Sequence, residues 1–262
     1  AGLDAQYAAH YKAYFRIFSR CGLPVIVVGA DSGMMGGKIS HEYMYLSAIG
    51  EDTIITCPTC GYTANRQVAT FKKTYYTEPM KQTEKVLTPD CKTIDELAAF
   101  LKIEKRQTAK AVFMVGTFIN DTNGEEEDKL IVGIIRGDLE VEENKLQNAA
   151  RANALRPAHA EEILAKKMVP GYGSAIGCSK DVLVIVDDSV AKSNNLVAGA
   201  NEEGYHLLNT NFERDYTGQT ADIASAAAGY ACPECEGSLS ASKGVEVGNI
   251  FQLNTRYSES MN

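Results

Sequence analysis

Two Cys-x-x-Cys pairs, Cys57-Pro-Thr-Cys60 and Cys232-Pro-Glu-Cys235, constrain this chain more than any other feature. Four thiolates in this pattern suit a tetrahedral zinc, because each pair clamps one edge of the tetrahedron from a tight turn. Gly61 and Gly237 stand close behind the pairs and help the backbone bend around a metal. Disulfide pairing and ordinary buried thiols are the alternatives. If the four cysteines meet, the chain leaves one domain after the first pair and returns to it before the second. The long stretch between them is then an insertion with a task of its own.

Composition narrows the class. A chain of 262 residues holds one large domain or two modest ones, and paired turns so far apart favour two. With 45% hydrophobic and 23% charged residues it reads as soluble and globular. No apolar run is long enough to span a membrane, and the opening Ala1-Gly2-Leu3-Asp4 is not a secretory leader. Three further cysteines, Cys21, Cys91 and Cys178, have no pattern, so a reducing, cytoplasmic home is expected. A net charge of −8 argues against coating nucleic acid with the whole surface, yet leaves room for a local basic patch. Lysines and arginines gather modestly over 102–110, which reads most simply as a solvated helix end.

Periodicity fills in the elements. Tyr7, Tyr11, Phe15 and Phe18 make one face of a helix over 4–21. Strands are expected at 25–28 and 40–45, with a glycine-rich loop over 30–37 that lacks the Gly-Lys-Ser/Thr ending of a phosphate loop, and 54–56 leads into the first cysteine turn. Residues 73–90 read as a linker. Thr93 and Glu96 form a capping box opening a helix over 93–101. Strands at 111–117 and 129–136 flank an acidic hairpin tip at 120–128. Helices follow at 142–150 and 159–167, and strands at 182–187 and 205–211. After the alanine-rich 221–228 and the second cysteine pair, 244–251 alternates like a strand and its segment runs on to Tyr257-Ser258. The fold class is therefore α/β (α+β), and 1–72, 73–220 and 221–262 are the expected divisions.

Several motifs, taken in order, resemble the bacterial-type prolyl-tRNA synthetases. They are Ala30-Asp-Ser-Gly-Met-Met-Gly-Gly37, Ser40-His-Glu-Tyr43, Gly50-Glu-Asp52, Cys60-Gly-Tyr-Thr-Ala-Asn65 and the closing Gly244-Val-Glu-Val-Gly-Asn-Ile-Phe251. The resemblance runs over essentially the whole chain. It implies part of a class II antiparallel-sheet catalytic core, interrupted by a mixed α/β editing domain of the free-standing deacylase type. The segment would lie between the second and third class II motifs, whose ATP-binding arginines are not found here. ATP and Mg2+ would then serve only the full-length ligase, as would an anticodon-binding domain, while structural zinc stays with the four cysteines.

The resemblance also implies chemistry. A pocket large enough for proline cannot exclude the smaller alanine, since a few methylenes discriminate by only about 1–3 kcal/mol. A second, smaller site that hydrolyses alanyl-tRNA(Pro) restores fidelity. Lys110 matches the lysine that holds the terminal adenosine and its phosphate, Asp187 an acidic residue of the pocket, and His206 the histidine shaping the alanine site. Gly173, Ser174 and Gly177 match the loop lining that pocket, whose backbone N–H groups would meet a developing oxyanion. Gly177 stands where the family commonly has proline. Cys178 reads as packing, since no general base is implied beside it. His41, Glu42, Asn249 and Phe251 match the proline side of the aminoacylation pocket, with Asn249 in place of the usual histidine. The implied partners are the tRNA(Pro) acceptor end, L-proline and mischarged alanine, with a homodimeric parent and no membrane. A free-standing deacylase acting in trans and a non-catalytic, zinc-bearing tRNA-binding module are the competing readings.

Overall fold

The computed structural model describes residues 2–31, 33, 39–120, 124–255, 258–259 and 261. Most of the glycine-rich loop at 30–37, part of the hairpin tip at 120–128, and Tyr257 lie outside the described residues. The chain divides into two compact units, one made of Ala1–Lys72 with Ser225–Asn262 and the other of Lys73–Ala224.

The first unit holds α1 (Gly2–Arg20), β1 (Ile26–Gly29), β2 (Ser40–Leu46), β3 (Asp52–Thr56) and β4 (Thr63–Asn65). The second holds β5 (Glu84–Leu87), α2 (Ile94–Leu101), β6 (Ala109–Ile119), β7 (Glu126–Arg136), α3 (Glu143–Ala150), β8 (Ala154–Pro157) and α4 (Ala160–Ala165). It continues through β9 (Leu183–Asp187), α5 (Asp188–Ala191), β10 (Leu196–Gly199), β11 (Tyr205–Thr210) and β12 (Gln219–Ala221). The chain then returns to the first unit with β13 (Ser240–Phe251).

In the first unit the strands close into a barrel in the order β1-β2-β13-β3-β4. The last strand in sequence thus sits between two of the earliest. Its first half pairs with β3 from Ser240 opposite Thr56, and its second half with β2 as far as Phe251 opposite Ser40. The aromatic face of α1 lands on this sheet, where Tyr11, Tyr14, Phe15 and Phe18 surround the fully buried Tyr43 at centroid distances of 4.8–6.0 Å. Gly248 makes that approach feasible, because a Cβ there would meet the Tyr14 ring at 2.9 Å.

The second unit is built on a five-stranded sheet in the order β12-β9-β7-β6-β8 and a three-stranded sheet in the order β10-β11-β5. The continuous apolar run 130–135 suits the central position of β7, whose neighbours are antiparallel β6 and parallel β9. Val132, Ile134, Val184, Val186, Leu196 and Ala198 are part of one core cluster. α2 opens on the expected capping box: the Thr93 hydroxyl accepts from the Glu96 N–H at 3.2 Å, and the Glu96 carboxylate accepts from the Thr93 N–H at 2.9 Å. It stops at Lys102, which takes a left-handed φ of 56°.

Part of the linker expected over 73–90 is structured. β5 lies inside it and pairs with β11, placing Val86 opposite His206. β8, β10 and β12 were also not foreseen. Each has only three or four residues, too few to show a period, and β8 sits at a sheet edge with Arg156 and Pro157 in it.

Candidate functional site

A cavity of about 420 Å3 opens in the second unit. β6 contributes Lys110 and Phe113, the ends of β10 and β11 contribute Gly199 and His206, and the 171–177 loop contributes Gly173. The start of α2 and the turn after β7 complete the wall with Lys92, Asp95, Asp138 and Glu140, and Lys105 adds a further cation.

His206 is buried, and its ring nitrogen Nδ1 lies 2.7 Å from the Thr88 hydroxyl. That hydroxyl also reaches the Gly204 carbonyl at 3.3 Å. Its single proton fixes the tautomer. Given to Gly204, it leaves the hydroxyl to accept from Nδ1–H, and Nε2 carries a free lone pair; given to Nδ1, it leaves the proton on Nε2. In both arrangements the ring orientation is set by Thr88, and Tyr172 packs against it with centroids 5.5 Å apart. Burial lowers the imidazole pKa to about 4, so His206 is neutral at physiological pH. The site therefore presents an uncharged imidazole against a close-packed wall.

The loop beside it is held by one side chain. Asn201 accepts from the Ser174 N–H at 2.9 Å and donates to the Ser174 and Ile176 carbonyls at 3.0 and 2.7 Å. Two glycines let the backbones close up: a Cβ on Gly199 would sit 2.2 Å from the Tyr172 carbonyl oxygen, and one on Gly173 would sit 2.4 Å from the Phe113 ring. Lys110 projects from β6 with its Nζ 2.7 Å from Glu140.

The cavity thus brings together Lys110, His206 and Gly173. Ser174 and Gly177 are not among its lining residues; buried Ser174 turns its hydroxyl to the Ile176 N–H, and Gly177 supplies a left-handed φ of 72°. Asp187 is not among the lining residues either. It ends β9 fully buried, caps α5 by accepting from the Ser189 N–H, and accepts from the Ile223 N–H, both at 2.9 Å. Lys73 completes that cluster, with its Nζ 2.9 Å from Asp187, 2.5 Å from Asp188 and 2.6 Å from Asp222. Lys145 binds the other oxygen of Asp222 at 2.8 Å. Burial alone would lower the Lys73 pKa, but the Asp187 charge and the bonds to Asp188 and Asp222 outweigh it and raise it. Lys73 and Asp222 stand at the two ends of the unit in sequence, so the cluster clasps the segment by which the chain enters it to the segment by which it leaves.

Sequence reasoning missed Thr88, Phe113, Glu140 and Gly199. Thr88 lay inside a presumed linker, and Gly199 ended a strand too short to recognise. Lys105 had a signal, since it belongs to the 102–110 basic cluster, but periodicity could not tell a solvated helix end from a cavity wall.

Residues 88–216 match the family model described as the aminoacyl-tRNA editing domain. The whole chain is 47% identical to a proline–tRNA ligase of Salinispora tropica and covers 44% of that protein. It is 46% identical over 98% of its length to a proline–tRNA ligase of Dehalococcoides mccartyi, again covering 44% of the relative. Over its whole length the chain is similar to bacterial proline–tRNA ligases. A proline–tRNA ligase 1 of Bacillus thuringiensis subsp. konkukian is 43% identical over 99% of the chain, which covers 45% of it. The chain spans less than half the length of these relatives.

In the first unit, the residues matched to the family's proline side share one ladder. Glu42 stands opposite Asn249, His41 opposite Ile250 and Ser40 opposite Phe251. Tyr7 bonds the His41 ring at 2.6 Å, and Asn65 donates to Glu42 at 3.0 Å. Burial raises the Glu42 pKa and lowers that of His41. The Asn249 amide donates to Glu246 at 2.7 Å.

The four paired cysteines also converge, with all Sγ atoms within 4.8 Å of one another. Cys57 lies 3.5 Å from Cys235, and Cys60 lies 3.6 Å from Cys232. Sulfurs about 2.3 Å from a tetrahedral zinc stand about 3.8 Å apart, so the set fits that ion. Backbone N–H groups aim at the sulfurs, from Glu234 to Cys232 at 3.4 Å and from Gly237 to Cys235 at 3.2 Å. The Cys60 N–H brings the Cys57 thiol down to about 6. The Gly237 N–H acts likewise on Cys235, but desolvation and the three neighbouring sulfurs drive it up to about 12. As thiolates, the four cysteines could hold a metal ion between them.

Proposed function

We propose that the second unit hydrolyses the ester of alanyl-tRNA(Pro), within a protein that attaches proline to tRNA(Pro) using ATP and Mg2+. The observation that carries this reading is the single cavity lined by both Lys110 and His206. Lys110 meets the terminal adenosine and its phosphate. His206, neutral and held by Thr88, forms the floor against which the amino-acid side chain fits. Gly173 and Gly199 keep the backbone close enough for N–H groups to approach the ester carbonyl, where donors stabilise the charge that builds as water adds.

Discrimination is steric. On this reading the seat beside His206, Phe113 and the glycines admits a methyl side chain and refuses a pyrrolidine ring. Water attacks the ester and no protein nucleophile is required. Asp187 contributes through the stability of the unit rather than by touching substrate. In the first unit, Glu42 meets the ammonium group of L-proline and Phe251 packs its ring, with His41 and Asn249 beside them, while zinc on the four cysteines ties the turns after β3 and before β13. The whole protein acts as a homodimer in the cytoplasm.

Initial rates of alanyl-tRNA(Pro) and prolyl-tRNA(Pro) deacylation test the assignment. Lys110→Ala and His206→Ala should each slow alanyl release tenfold or more, or let prolyl-tRNA be cleaved. Unchanged rates and unchanged preference in both variants contradict it.

A further inference from the structure

The four cysteines of the first unit have a geometry that metal binding alone does not use. Two of their sulfur contacts run from one turn to the other, Cys57 to Cys235 at 3.5 Å and Cys60 to Cys232 at 3.6 Å. Each is only about 1.5 Å longer than a sulfur–sulfur bond. Each also joins unlike members: Cys57 and Cys232 are buried, whereas Cys60 is exposed and Cys235 half-buried. The turns seat closely on one another. A Cβ on Gly237 would meet the Cys57 sulfur at 3.0 Å and the Thr59 hydroxyl at 2.5 Å, so the missing side chain admits the second turn against the first. Backbone bonds close each turn by itself, from the Cys57 N–H to the Tyr62 carbonyl and from the Cys232 N–H to the Gly237 carbonyl, both at 2.8 Å. With the backbones held, rotation of the cysteine side chains is what joins sulfurs across the gap.

We propose that the four cysteines are a thiol-oxidation site for hydroperoxides, at which disulfides form across the turns, Cys60 to Cys232 and Cys57 to Cys235, and take the place of the metal. The accessible Cys60 sulfur attacks one oxygen of hydrogen peroxide, the O–O bond breaks, water leaves, and Cys60 becomes a sulfenic acid. The Cys232 sulfur then attacks the Cys60 sulfur; an S–S bond forms, and the S–O bond breaks to release hydroxide, which takes up a proton. A second peroxide reacts likewise at Cys235, with Cys57 as the resolving sulfur. Each peroxide gains the two electrons that one pair of thiolates loses. The arrangement also limits damage. The resolving sulfurs are shielded from the oxidant, and at this range they trap the sulfenic acid before more peroxide carries it to the irreversible sulfinic state. Both links span the same 172 and 178 positions of chain that the metal would close, so the oxidised unit stays fastened. In a reducing compartment such links are transient. The inference rests on the zinc reading for what is released, and not for the links.

The test exposes this chain, supplied with zinc, to hydrogen peroxide and follows three readouts: free thiols, zinc captured by a chelating dye, and disulfide-linked peptides by mass spectrometry. Free thiols should fall from seven to three while zinc leaves in step. The linked peptides should join 57 with 235 and 60 with 232, and a dithiol reductant should return all seven thiols and zinc uptake. Reciprocal variants check the pairing without relying on the parent alone. Cys60→Ser should still form the link from Cys57 to Cys235, and Cys235→Ser the link from Cys60 to Cys232, each leaving four of six thiols free. Disulfides within a turn, sulfinic acid accumulating at Cys60, or the exposed Cys21 consumed ahead of the four overturns the proposal. The two readings fail separately. A chain that takes up no zinc yet links across the turns removes the zinc reading and leaves the oxidation site standing; a chain that holds zinc and never links across does the reverse.

Discussion

Lys73 and Lys110 are both largely removed from water and both paired with carboxylates, yet they serve opposite ends. Lys73, 3% exposed, sits among three aspartates, of which Asp187 and Asp222 accept from backbone N–H groups and Asp188 from Tyr75 and Lys192. Lys110 faces one glutamate that stands mostly in solvent. With Lys110 in the proposed role, what separates a fastening from a binding group is the freedom of the partner rather than the burial of the lysine. Asp187 is held in the first way, although the family resemblance implies a residue of the pocket.

The comparison breaks most visibly on stability. Removing one partner of a buried ion pair leaves an uncompensated charge, at a cost of about 3–5 kcal/mol. Lys73→Ala and Asp187→Ala should each lower urea-unfolding stability of the second unit by that amount, and a loss below about 1 kcal/mol would place Asp187 outside the fastening. Next in size is a pH effect at His206. An imidazole with an ordinary pKa of 6.5 unfolded and about 4 folded binds more protons when unfolded between those values. Its contribution is fully present above pH 6.5, and about 3 kcal/mol of it is lost as pH falls to about 4. The stability difference between the parent and His206→Gln should shift by that amount across the window; a flat difference would mean that the ring is hydrated.

Thr88→Val should cost about 1–3 kcal/mol by leaving Nδ1 of His206 unpaired. It should also loosen the ring, raising prolyl-tRNA cleavage while Thr88→Ser restores discrimination. The smallest effect is expected for Lys110→Ala, within about 1 kcal/mol in stability, with its consequence appearing instead in KM for the RNA. A large stability loss there would erase the contrast with Lys73.

Much of this was legible because the signals were local. The Thr93–Glu96 box, the apolar run of β7, the aromatic stripe of α1 and the paired cysteines each announce themselves within a few residues. The ordered motifs supplied Lys110, Gly173 and His206. What the sequence withheld depends on non-local pairing. β5 looks like linker because its partner, β11, comes more than a hundred residues later, and Thr88 becomes meaningful only once that pairing brings it to His206. The pairing of Asp187 with Lys73 was hidden for the same reason, since that cation lies at the far end of the unit in sequence. The second unit runs to Ala224, whose carbonyl accepts from Lys145 at 2.8 Å, a contact equally non-local in sequence.

The central claim is that one chamber sorts amino acids by bulk and hydrolyses the smaller ester. The most direct measurement is the ratio of alanyl to prolyl release from tRNA(Pro) by this chain and by His206→Ala under identical conditions. The account predicts a ratio well above one for the parent, falling toward one in the variant. Equal cleavage of both esters by the parent, or a ratio untouched by the loss of His206, would contradict it.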